Sequence, residues 1–123
     1  MSLTILVIED NEQNMYLTTF LLEKHGYTVT QARNGRAGIT QAIQFPPALI
    51  LLDIQLPEMD GYAVARALRG HPELAAVPIV AVTSYAMVGD RERVLAAGCN
   101  GYIEKPINPE TFVVEMARYL PSQ

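Results

Sequence analysis

Apolar side chains in this chain come in short runs, not in long stripes. "LTILVI" (Leu3 to Ile8), "ALILL" (Ala48 to Leu52) and "VPIVAVT" (Val77 to Thr83) are nearly unbroken and rich in Ile, Val and Leu. Such runs suit parallel strands covered on both faces. "TVTQA" (Thr28 to Ala32) alternates, which suits an edge strand, and "GYIE" (Gly101 to Glu104) is a further short segment.

The stretches between these runs carry helix signals. Asn11 is placed to cap a helix that carries Leu17, Phe20 and Leu21 inward and ends at Gly26, with His25 in its last turn. Asn34 caps a second, with Ile39, Ala42 and Ile43 on one face, and Pro46 and Pro47 stop it. A third runs from about Asp60 to Arg69 with Ala65 and Leu68 inward, and a fourth ends at Gly98. The last starts at "NPE", with Asn108 as cap and Pro109 at the first helical position; Phe112, Met116 and Leu120 mark its inner face. The predicted fold is α/β: a doubly wound, five-stranded parallel sheet of (βα)5 units. In such sheets ligands bind outside the carboxyl ends of the strands.

Composition narrows the class. The chain has 123 residues, half of them hydrophobic, enough for a real core, and a net charge of -4. An acidic balance argues against a nucleic-acid surface. The apolar runs are far too short to span a bilayer, and no signal peptide is visible. Cys99 is the one cysteine, so there is no intrachain disulfide and no cysteine-based metal site. The expectation is a cytoplasmic protein with no membrane partner.

What stands at the strand ends is polar. Glu9 and Asp10 follow the first run, and Asp53 ends the third. Thr83 and Ser84 close the fourth, and Glu104, Lys105 and Pro106 the fifth. Singly, each has an ordinary explanation: acids stabilise helix starts, an aspartate after a strand belongs to a turn, and lysine is mostly at the surface. Together they form a pattern. A fold of this class brings Asp10 and Asp53 to one site with Glu9 beside them. Three crowded carboxylates raise at least one pKa, and a divalent cation relieves them. Mg²⁺ takes oxygen ligands and one or two carboxylates. Thr83 and Lys105 add a hydroxyl and an ammonium opposite, completing a clamp for a phosphoryl group.

Five motifs carry a family resemblance: "VIEDN" (Val7 to Asn11), "LLDIQLPEMDG" (Leu51 to Gly61), "VPIVAVTSYA" (Val77 to Ala86), "AAGCNGYIEKPI" (Ala96 to Ile107) and "NPETF" (Asn108 to Phe112). Over essentially its whole length, residues 1–123, the chain resembles a response-regulator receiver domain of two-component signalling. The resemblance implies a flavodoxin-like sheet of strand order 2-1-3-4-5 and a single receiver domain. It implies that Asp53 is the phosphoacceptor and that Asp10 binds Mg²⁺ directly, with Glu9 holding a metal-bound water and the backbone carbonyl of Gln55 a further ligand. Thr83 and Lys105 would bind the phosphoryl oxygens, and Tyr102 would be the switch aromatic coupled to Thr83. The Lys105–Pro106 bond is expected cis. Gln55 and Tyr85, two residues after Asp53 and Thr83, are placed to tune the lifetime of the phosphorylated state. The chain departs from many receivers in having Glu9-Asp10 where they carry two aspartates.

The implied donor is a histidine kinase or a histidine phosphotransfer protein. The output would leave through the face of helix four, strand five and helix five, toward a downstream protein, a tethered output domain or a second receiver in a phosphorylation-dependent dimer. The domain would catalyse only its own phosphorylation and dephosphorylation. Three other readings compete with this one. Dehalogenase-like phosphatases also use aspartate and Mg²⁺, but with the nucleophile after the first strand and a second aspartate two residues later; here Glu9 and Asp10 are adjacent. A flavodoxin-like flavin protein needs a phosphate loop where "EDNEQN" would repel phosphate. A phosphorylation-independent binding module of receiver fold has no need of an intact acid site.

Overall fold

The computed structural model describes residues 2–84 and 88–121. Strands β1 (Thr4–Ile8), β2 (Thr28–Ala32), β3 (Leu49–Asp53), β4 (Ile79–Thr83) and β5 (Gly101–Glu104) alternate with helices α1 (Glu12–Lys24), α2 (Gly35–Gln44), α3 (Gly61–Arg69), α4 (Val88–Ala96) and α5 (Phe112–Ala117). A 3₁₀ turn at Pro72–Leu74 leads into β4. The strands are all parallel, in the order β2-β1-β3-β4-β5. This is the doubly wound sheet expected, with the alternating "TVTQA" strand at one edge. No helix among the described residues is long and apolar enough to cross a membrane.

Alternation along each strand sorts the core into two layers. Leu6, Ile8, Ile50, Leu52, Ile79 and Ala81 pack with Ala42, Ala65, Leu68 and Val94 of α2, α3 and α4. Ile5, Val7, Leu49, Leu51, Val80 and Val82 pack with Met15, Leu22, Phe112 and Met116 of α1 and α5. Both faces being covered is why the three central strands read as unbroken apolar runs.

Helix starts follow the sequence signals at three places. Asn11, Asn34 and Asp60 accept hydrogen bonds from the backbone N–H of Asn14, Ala37 and Ala63 at 2.9, 2.8 and 2.8 Å. Two expectations need correction. Phe20 does not face inward: α1 seats Met15, Thr18, Leu21 and Leu22 on the sheet, while Phe20 is 51% exposed and stacks on Tyr16 outside. The inner stripe runs through positions 15, 18 and 22, and Phe20 lies off it. The last helix begins at Phe112, not at Pro109. The Asn108 carbonyl accepts from both Thr111 and Phe112 while its side chain accepts from Glu110, so residues 109–111 form a tight turn ahead of the regular helix.

Candidate functional site

β1 and β3 are neighbours, so Glu9, the residue after Ile8, and Asp53, which pairs with Val82 of β4, emerge side by side at the carboxyl edge. Glu9 is 5% and Asp53 3% exposed, while Asp10 is exposed. Carboxylate oxygens of Glu9, Asp10 and Asp53 all lie within 4.8 Å of one another. Asp53 is the last residue of β3, so the sheet ladder itself fixes its backbone.

Lys105 answers this charge from the other side. Its ammonium stands 3.1 Å from Asp53 Oδ1 and 3.3 Å from Glu9 Oε1. The Lys105 N–H donates to the Thr83 carbonyl at 2.9 Å, tying the end of β5 to the end of β4, and the Lys105–Pro106 peptide bond is cis. The Gln55 N–H donates to Asp53 Oδ1 at 2.9 Å, and the Asn11 N–H donates to Glu9 Oε2 at 3.2 Å. One ammonium between two buried carboxylates leaves the site short of positive charge. Glu9 carries the consequence: burial first, then the hydrogen bond and charge of Asp53, push its pKa from 4.5 up to about 7 against the opposing Lys105. An all-oxygen donor set of three carboxylates with a raised pKa among them fits a hard divalent cation of the Mg²⁺ kind.

The loop after Asp53 is held close by Gly61. A Cβ there would press on the Asp53 carbonyl and on the Cα of Ile54, so only glycine lets α3 start this near the site. The Gly61 N–H donates to the Ile54 carbonyl at 2.9 Å, and Asp60 caps the helix behind it. Pro57, Asp60 and Gly61 therefore fold one tight return beside the carboxylate. Ser84 donates to the Gln55 side-chain oxygen at 3.2 Å, linking this loop to the end of β4. No spacing in the sequence marks that bond, whereas a "DG" pair ahead of an apolar helix is a signal for the close approach at Gly61.

Thr83 is 1% exposed at the tip of β4. Ala81 pairs with Tyr102 and Thr83 with Glu104. Side chains alternate along a strand, so Thr83 and Tyr102 lie diagonally on one face of the sheet, the face that α4 covers. Tyr102 is half-buried against the core there. Glu9, Asp10, Asp53, Gln55, Thr83 and Lys105 thus meet at one edge, with Tyr102 set back along it. Tyr85 lies outside the described residues.

Residues 5–117 match the family described as the response regulator receiver domain. The polar-differentiation response regulator DivK of Brucella anthropi is 43% identical over 117 residues, which is 95% of each chain. The receiver domain of the sensor histidine kinase PA1611 from Pseudomonas aeruginosa PAO1, solved with a magnesium ion coordinated in its active-site cleft, is 34% identical with a TM-score of 0.90, covering 99% of this chain and 100% of that one. A co-crystal of the Saccharomyces cerevisiae histidine phosphotransfer signaling protein Ypd1 with the receiver domain of its downstream response regulator Ssk1 gives a TM-score of 0.88 at 26% identity, covering 96% of this chain and 88% of that one.

Proposed function

The chain belongs to the response regulator receiver domain family of two-component and phosphorelay signalling, and from that premise we propose that Asp53 accepts a phosphoryl group from a histidine kinase or a histidine phosphotransfer protein. The observation that carries this reading is the buried Asp53 carboxylate with Lys105 at 3.1 Å and two further acids within 4.8 Å. An Asp53 oxygen attacks the phosphorus, the bond to the donor's histidine nitrogen breaks, and the freed imidazole takes up a proton. The strand end and the Gln55 N–H hold Asp53 in line for the attack. The Lys105 ammonium neutralises charge on the phosphoryl oxygens, and the Thr83 hydroxyl donates to one of them.

Glu9, Asp10, Asp53 and the backbone carbonyl of Gln55 are the groups that would hold Mg²⁺. When bound, it supplies positive charge against the crowded oxygens of carboxylate and phosphoryl group. The magnesium in the PA1611 cleft and the all-oxygen donor set support this assignment.

Chemistry catalysed by the chain is confined to its own phosphorylation and dephosphorylation. The signal leaves through Thr83 and Tyr102 to the face of α4, β5 and α5, toward a downstream protein, a tethered output domain or a second receiver. Gln55, and Tyr85 outside the described residues, are the side chains we assign to lifetime tuning. Residues 1–123 act as one receiver domain, in the cytoplasm. Phosphoramidate, whose P–N bond resembles that of phosphohistidine, tests the reading: with Mg²⁺ it should add one phosphoryl group by intact mass, and with EDTA none. Equal labelling under both conditions contradicts it.

A further inference from the structure

We propose that the groove between α3 and α4 binds a small organic phosphate, with the phosphate head between two arginines and an apolar body along the loop after Asp53. The inference is independent of the phosphoacceptor reading, since it needs neither phosphorylation nor Mg²⁺. Two adjoining hollows, of about 450 and 180 Å³, share Asp60, Tyr62 and Arg93. Arg66 of α3 and Ala96 of α4 complete the smaller one, while Ile54, Leu56 and Pro57 give the larger an apolar wall. Arg93 and Ala96 turn toward α3, whereas Arg91 and Leu95 turn toward β5 and α5. The groove therefore lies on the other flank of α4 from the output face.

The polar groups of this groove have donors to spare. Tyr62 is only 8% exposed, with the Arg93 guanidinium 4.4 Å above its ring, yet its hydroxyl has no hydrogen-bond partner among the described residues. Burial holds its pKa above the ordinary tyrosine value, so the hydroxyl keeps its proton and can donate. Arg66 is exposed and has neither an ion pair nor a hydrogen bond among the described residues. Arg93 meets Asp90 only at 3.9 Å, beyond hydrogen-bond reach, so its N–H groups are also unspent. Arg33 and Arg69 differ: the first is held by Glu12, the second by backbone carbonyls and Asn100. Asp60 is the one acid of the smaller hollow, and its Oδ1 is occupied in capping α3 at 2.8 Å. Two guanidinium forks and a phenol match the oxygens of a phosphate monoester, which takes several charge-assisted hydrogen bonds at once. Asp10 lines only the larger hollow and Arg66 only the smaller, so charge runs from negative beside the acid site to positive between the helices. That gradient orients a ligand with one charged head and an uncharged body. The smaller hollow suits a single head group, and the larger falls in the usual range for small-molecule sites.

The test is an NMR titration of the full chain in EDTA at constant ionic strength, with phenylphosphonate as the probe. Its phosphorus is bonded to carbon, so it offers no phosphoryl group for transfer to Asp53. Inorganic phosphate and benzylamine are the comparison probes. Phenylphosphonate should bind saturably, with the largest shifts at Tyr62, Arg66, Arg93 and Ala96. It should bind more tightly than inorganic phosphate, which lacks the apolar body, and benzylamine should not bind there. Arg66→Gln and Arg93→Gln should each weaken it by about tenfold, the usual loss for a charge-assisted hydrogen bond. Tyr62→Phe keeps the ring under Arg93 and removes only the hydroxyl, so a loss of about threefold to tenfold is expected in a variant that packs as the wild type does. Arg36→Gln, an equal charge change on exposed α2, should leave binding as it is. Absence of saturable binding, phenylphosphonate no tighter than inorganic phosphate, or an equal loss in Arg36→Gln overturns the proposal. So do shifts centred on Asn11 and Lys105, because the probe would then sit in the acid site.

Discussion

The Lys105 ammonium lies 3.1 Å from Asp53 Oδ1 and 3.3 Å from Glu9 Oε1, so one cation holds two buried carboxylates together. It is the one basic side chain in direct contact with them among the described residues. Replacing Lys105 with methionine keeps the stem and removes the charge. At pH 8 without metal, the variant should lose roughly 1–3 kcal/mol of stability, less than the usual cost of a broken buried pair because Glu9 takes up a proton instead. Labelling by phosphoramidate should fall sharply. Urea melts at pH 5 and pH 8 check the first statement: an equal loss at both pH values would show that Glu9 does not respond.

Glu9 sets the pH dependence of the metal-free protein. Burial and Asp53 raise its pKa from 4.5 to about 7, so the folded state holds the proton more tightly than the unfolded chain. Its stabilising contribution is complete below about 4.5 and is lost as pH rises through about 7. Glu9→Gln keeps a neutral, hydrogen-bonding side chain at every pH. In EDTA it should therefore be more stable than wild type by roughly 1–3 kcal/mol at pH 8, and nearly equal at pH 4.5. Thermal melts across that range check this, and a constant difference would contradict it.

Magnesium should bind at roughly millimolar strength, as expected for an open oxygen site. Asp10→Asn should weaken binding markedly and Glu9→Gln less, because Glu9 already shares Lys105. Amide NMR titrations of the Gln55 and Asn11 signals report both, and unchanged titrations in Asp10→Asn would remove that residue from the metal set.

Thr83 and Tyr102 share one face of the sheet across the β4–β5 ladder, one diagonal step apart. Under the proposed function, new charge at Asp53 should draw the Thr83 hydroxyl toward it and open the space behind toward Tyr102. Thr83→Ala should still be phosphorylated, yet show little of the beryllofluoride-induced shift at Tyr102 and along α4. Full shifts in that variant would mean that the coupling runs through other residues.

The sheet was legible because both of its faces are covered, which writes β1, β3 and β4 as continuous Ile/Val/Leu runs ending on polar residues. The site was legible for the same reason: Glu9, Asp53 and Thr83 are polar residues buried at the ends of apolar strands. Details that depend on three-dimensional approach were not. Phe20 is apolar and still faces out, because helix phase, not residue type, decides which positions meet the sheet. Arg69 reads as an ordinary helix-end residue, yet it binds the Gly98 and Leu74 carbonyls and Asn100, joining α3 to the turn before β5. No spacing in the sequence marks a partner 29 or 31 residues away.

The central claim is that Asp53 takes the phosphoryl group. Borohydride reduction of the phosphorylated chain converts an aspartyl phosphate to homoserine, and peptide mass spectrometry locates it. The account predicts homoserine at position 53 in wild type, and no labelling in Asp53→Asn. Homoserine at position 10 or elsewhere, or equal labelling of Asp53→Asn, would contradict it.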